Sequence, residues 1–82
     1  MDAMREVLAI LDEVLSLGGR ADSFNRDTPL LGVLPELDSM AVVGVINMLE
    51  ERFGFTVEDD EIDGSSFATV GSLTAFVEGK LA

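Results

Sequence analysis

Between Gly18 and Leu37 the chain reads GGRADSFNRDTPLLGVLPEL, and no other stretch restricts the possible fold as strongly. Its glycines and prolines rule out a long helix. It nevertheless carries Phe24, Leu30, Leu31, Val33, Leu34 and Leu37. A connection of roughly twenty residues without structure is uncommon in a compact domain. The apolar side chains therefore predict a long crossing loop packed onto the core, with a short turn near Pro29 to Gly32.

The segments on either side read as helices. Met4, Val7, Leu8, Leu11, Val14 and Leu15 recur at three- and four-residue steps, the stripe of an amphipathic helix. This helix is expected from about Ala3 to Leu17, capped by Asp2 and stopped by Gly18 and Gly19. A second helix is expected from Asp38 or Ser39 to Phe53, before Gly54. At 100° per residue, Val42, Val45, Ile46, Leu49 and Phe53 share its predicted core face, while Met40, Gly44, Met48 and Glu51 fall roughly opposite. Thr69 is the expected N-cap of a last helix carrying Val70, Leu73, Phe76, Val77 and Leu81. Between these, TVEDDEIDGSSFATV offers Val57, Ile62 and Phe67 as anchors and room for one weak helical turn. The fold class is all-α: a small helical bundle of three main helices plus a short weak helix, with a long loop between helices one and two. With 82 residues, positions 1–82 are expected to form one domain with a single core and little room for a large cleft.

Composition closes off several kinds of chemistry. The chain has no cysteine, so it has no disulfide and no thiol nucleophile, and no histidine, the usual base of a Ser-His-Asp site and the commonest zinc ligand. The reading is that it is not an enzyme. A formal charge of −11 repels nucleic acid and attracts basic partners. The longest apolar stretch, Met40 to Leu49, is too short to span a bilayer. The acidic N-terminal segment lacks the basic lead of a signal peptide. A cytoplasmic monomer is the expectation. Asp59, Glu61 and Asp63 before Gly64 imitate the opening of an EF-hand loop, but its twelfth position, which calls for glutamate, is Val70. The expectation is a solvated acidic segment and no dedicated metal site.

Ser39 is the residue with most to explain. Serine is a favoured N-cap, but Asp38 is an equally good cap and precedes it. If Asp38 caps, Ser39 occupies the first helical position with its hydroxyl free. No glutamate or glutamine follows three residues after either residue, so no capping box ties the side chain down. A phosphate ester there would meet unpaired backbone N–H groups and the positive end of the helix dipole, a modest preference of about 0.3–1 kcal/mol.

DTPLLGVLPELDSM leading into the second helix, and FATVGSL leading into the last, resemble the acyl carrier protein family over nearly the whole chain. The resemblance implies that Ser39 receives 4′-phosphopantetheine, with Asp38 as its acidic neighbour and Met40 in place of a usual leucine. It implies a phosphopantetheinyl transferase as one partner, and acyl-loading and acyl-transferring enzymes with basic surfaces as others. The cofactor's thiol would carry an acyl thioester, sulfur chemistry that the chain cannot supply itself. The pathway implied is lipid or secondary-metabolite biosynthesis. The chain departs from the family in two respects: Glu36 and Leu37 precede Asp38, and Ala41 and Gly44 stand where acids are usual. These departures point to a specialised partner set or an aminoacyl-type carrier. Met40, Gly44 and Met48 are expected to form a docking stripe, with Glu36, Glu50 and Glu51 around it. Val42, Ile46, Leu49, Phe67 and Phe76 are candidates to shelter an apolar cargo. The alternatives are an aminoacyl or peptidyl carrier, and an unmodified acidic helical docking module.

Overall fold

Each helix begins at a side chain that accepts backbone N–H groups left without an intrahelical partner. The computed structural model describes residues 2–58 and 60–82. Helix α1 spans Ala3–Leu15, and Asp2 Oδ1 accepts from the amides of Met4 (3.1 Å) and Arg5 (3.4 Å). Helix α2 spans Ser39–Phe53 and is capped by Asp38. Helix α3 spans Val70–Leu81; Thr69 and Ser72 satisfy one another's backbone amides in a reciprocal capping box. The starts of α2 and α3 and the end of α2 at Gly54 are those expected from the caps.

The first helix is shorter than expected. It stops at Leu15, because Ser16 turns into the left-handed region at φ 54°. The Leu17 amide then bonds back to the Asp12 carbonyl at 3.0 Å, an ending that folds Leu17 into the core. The Asp12 carboxylate accepts from Gly19 N–H (2.9 Å) and Ala21 N–H (3.2 Å). These bonds set up a 3₁₀ turn, Arg20–Ser23, that the hydrophobic pattern had not indicated. The turn expected near Pro29 to Gly32 lies slightly later, at residues 31–33, and the weak helix of the acidic segment is a 3₁₀ turn, Gly64–Phe67.

The long loop is held chiefly by its backbone. Leu30 N–H donates to Ala68 O and Leu31 N–H to Phe67 O, while the α3 amides of Val70 and Gly71 donate to Thr28 O and Arg26 O. The loop carbonyls thereby serve two of the orphan donors of α3. Leu30 and Leu37 are buried, and Phe24 and Leu34 pack partly against the core, as the apolar loop residues predicted; Leu31 and Val33 remain exposed. The core itself is drawn from all three helices, with Val7, Ile10, Leu11, Val45, Leu49, Leu73 and Val77 fully buried.

Among the described residues, one core residue is polar. Thr74 is fully buried, and its hydroxyl has no hydrogen-bond partner among the described residues. A buried unsatisfied polar group costs about 1–3 kcal/mol. Thr74→Val keeps the shape and removes that cost, so it should raise unfolding free energy by about 1–2 kcal/mol in urea titration.

Candidate functional site

Leu37 is buried, and it anchors the chain immediately before α2. Asp38 follows in extended geometry and its Oδ1 accepts from Ala41 N–H at 2.8 Å. Ser39 is therefore the first helical residue; it is exposed, and its hydroxyl has no partner among the described residues. The amides of Ser39 and Met40 likewise have no acceptor among the described residues, as expected for the first turn of a helix. An exposed nucleophilic oxygen thus stands beside two free N–H donors, where an anion is favoured.

Next to Ser39 lies a cavity of about 520 Å³. Ser39, Val42 and Ile46, at helical steps on one flank of α2, form one wall. Leu31, Leu37 and Phe67 contribute from the long loop and the second 3₁₀ turn, and Val57, Glu58, Ile62, Asp63 and Gly64 close the far side. Val42 and Ile46 are accordingly only partly buried: they border the core and face the cavity. Of the five residues expected to shelter a cargo, Val42, Ile46 and Phe67 line this space. Leu49 is buried in the core, and Phe76 is not among the lining residues. The lining from Leu31, Val57 and Ile62 was not expected, because its assembly depends on contacts between distant parts of the chain.

The cavity's outer wall is pinned at both ends. Glu50 Oε2 accepts from Val57 N–H at 2.7 Å, and Lys80 pairs with Glu61 at 2.7 Å. Phe53 and Phe55 stack at 5.9 Å, with Lys80 above Phe55. Asp63 caps the Gly64–Phe67 turn by accepting from Ser65 N–H. Asp59, the first carboxylate of the EF-hand-like spacing, lies outside the described residues. The other two, Glu61 and Asp63, are engaged in these structural bonds.

Hydrogen bonding from Lys80, then from the Glu58 backbone, holds the Glu61 carboxyl below its ordinary value. A depressed folded value means that the stabilisation is complete above the unfolded value near 4.5 and is lost as pH falls through the folded one. Glu61→Gln should therefore flatten the acid limb of a thermal-midpoint profile below that pH. A limb of unchanged steepness would show that the pair contributes nothing.

The expected docking residues do not share one surface. Met40 projects outward and is 77% exposed. Gly44 instead faces α1: a Cβ there would stand 3.2 Å from Val14 Cγ1. Met48 is also turned inward, half-buried against the core. The 100° wheel put both on the outer face because it has no knowledge of the neighbouring helix. Gly44 thus packs toward α1 beside the buried Val45 and Leu49, and Ala41 and Met48, at helical steps from it, are partly buried against the core. Arg52 reinforces that junction through Glu6 at 2.9 Å. The exposed face runs instead through Met40, Val43, Asn47 and Glu51.

Comparison with known proteins bears on this arrangement. The family described as a phosphopantetheine attachment site matches residues 5–77. The chain belongs to this family. It is 41% identical over 44 residues to an acyl carrier protein of an Exiguobacterium species; that alignment covers 54% of this chain and spans about half, 53%, of the relative. The solution structure of a holo acyl carrier protein from Nitrosomonas europaea is similar along nearly the whole length, with 53% identity, 99% of this chain and 98% of that one covered, and a TM-score of 0.91. The family's group is phosphopantetheine, and the free hydroxyl of Ser39, the adjacent amides and the neighbouring cavity fit such a group. No helix among the described residues is long and apolar enough to cross a membrane.

Proposed function

We propose that the chain is an acyl carrier protein and that Ser39 is the attachment point of its 4′-phosphopantetheine. The observation that carries the proposal is the exposed, unbonded Ser39 hydroxyl at the start of α2, beside an apolar cavity. In the attachment step, Ser39 Oγ bonds to the phosphorus of the phosphopantetheinyl group of coenzyme A. The bond from that phosphorus to the adenosine bisphosphate breaks, and the hydroxyl proton is released. A phosphopantetheinyl transferase supplies the catalysis. The attached arm contributes a thiol that holds an acyl group as a thioester.

The chain's own residues then do three things. Asp38 fixes the start of the helix so that Ser39 stays clear of capping. The amides of Ser39 and Met40 receive the phosphodiester charge. The cavity walls of Val42, Ile46, Val57, Ile62 and Phe67 shelter an apolar acyl chain; each buried methylene contributes about 0.8 kcal/mol. This lining favours a fatty acyl cargo over an aminoacyl one. The net charge of −11 draws loading and transferring enzymes that present basic surfaces, with Glu51 exposed on α2 and Glu50 partly tied to Val57.

Intact mass and peptide mapping test the assignment. After incubation with coenzyme A and a permissive transferase, one phosphopantetheinyl unit should appear on the peptide containing Ser39. Modification of any other serine, or none at all, would refute it.

A further inference from the structure

We infer that Arg20, acting through Glu36, is a positioning residue for the arm attachment at Ser39. The inference rests on the attachment reading of Ser39. Where α2 starts in space depends on how the chain approaches it, and residues 32–38 are hydrogen-bonded chiefly to their own neighbours. Val33 and Leu34 donate their amides to Leu30 O, Leu37 to Leu34 O and Asp38 to Glu36 O. Among the described residues, one polar tie leads from this stretch to a distant part of the chain: the ion pair of Glu36 with Arg20.

Arg20 is itself held firmly. The Asp12 carboxylate of α1 accepts from the amides on either side of it, Gly19 at 2.9 Å and Ala21 at 3.2 Å. Its own N–H and its Nε both donate to Leu17 O at 3.3 Å, which leaves Nη2 for Glu36. Ala21 and Leu37, the chain neighbours of the pair, both belong to the core. Glu36 is folded inward over this junction: Oε2 takes Arg20, and Oε1 is buried with no partner among the described residues. A carboxylate so placed stays only while its counter-charge is present, because an unpaired charge is drawn back to water. The side chain is 32% exposed, so the way out is open. Without Arg20, Glu36 swings outward and pulls on the entry to α2. A pair this exposed adds little to stability. Its effect lies in position, since displacing a reacting atom by about 1 Å can cost an enzymatic step up to a hundredfold.

Arm attachment from coenzyme A by a broadly accepting phosphopantetheinyl transferase tests the role. Arg20→Gln should lower kcat roughly tenfold while KM for the chain moves by less than about twofold, because the reacting oxygen shifts and the surface around it is kept. Arg52→Gln is the control. It removes the same charge and breaks the pairs with Glu6 and Glu13 at the far end of α2, and it should load at the wild-type rate. Adding Glu36→Gln to Arg20→Gln should restore most of the lost rate, since removing both charges leaves nothing to drive the side chain into water. Amide NMR spectra give a readout that does not involve the transferase. In Arg20→Gln the signals of Ser39 and Met40 should move, and those of the core residues Val45 and Leu49 should not. An unchanged rate in Arg20→Gln, an equal fall in Arg52→Gln, no recovery in the double variant, or loss of the core signals each overturns the inference and leaves Ser39 attachment standing. A wild-type chain that accepts no arm overturns both.

Discussion

Ser39→Ala should abolish covalent loading and leave the fold essentially intact. The two effects separate because the structure divides two jobs between neighbours. Asp38 provides the cap through its bond to Ala41 N–H, while the Ser39 hydroxyl has no bond to lose among the described residues. Alanine is also the best helix former, and surface substitutions away from special features stay within about 0.5 kcal/mol. Intact mass should show no phosphopantetheinyl unit on Ser39→Ala, against one on wild type, and the urea midpoints should coincide. Asp38→Ala should behave in the opposite sense. It keeps the Ser39 hydroxyl to which the arm attaches but loses the cap, costing about 1 kcal/mol. A Ser39→Ala chain that melts as early as Asp38→Ala would mean that the serine is structural after all.

Gly71→Ala should be among the most damaging single-methyl additions in the molecule. A Cβ at Gly71 would lie 2.9 Å from the carbonyl oxygen of Arg26, closer than such atoms approach. That oxygen cannot simply withdraw, because it accepts the Gly71 amide at 2.8 Å. The same short stretch carries the Val70–Thr28 and Leu30–Ala68 bonds that seat the long loop on α3. Overpacking of this kind costs about 1–3 kcal/mol, and loss of the bond pushes the value to the upper end. Leu31 and Phe67 share that seam and line the cavity, so acyl sheltering should weaken along with stability. Gly79→Ala is the control. It lies in the same helix with nothing within 4 Å of its added Cβ, and it should stabilise by about 0.5–1 kcal/mol. Urea denaturation of both variants decides the matter. Equal midpoints would show that the loop yields freely and that the seam does not hold the site.

The outward side of α2 shows how far a periodicity argument reaches. Val45 and Leu49 were legible as core because their apolar neighbours recur at helical steps. Gly44 and Met48 were not legible, because a wheel drawn for one helix assumes a single buried face. In the bundle α2 also packs toward α1 at Gly44, which lies against Val14. The outward residue overlooked was Val43, an apolar side chain whose exposure no local rule predicts.

The sequence by itself determined the helices, their starts and the place of Ser39. These depend on short-range chemistry: caps that satisfy orphan amides, glycine at a helix end, and apolar residues every three or four positions. The loop's apolar content likewise announced that it would pack. Only the tertiary structure decided what lies beside Ser39. The cavity wall brings Leu31 together with Ile46 and Ile62, residues far apart in the chain, and which side chains converge depends on how α3 receives the loop. The pairing of Arg20 with Glu36 was equally hidden, because Arg20 is placed by a 3₁₀ turn that the Asp12 carboxylate sets up from a different helix. Local bonds select the elements, whereas neighbours across the fold select which of their faces remain free to act.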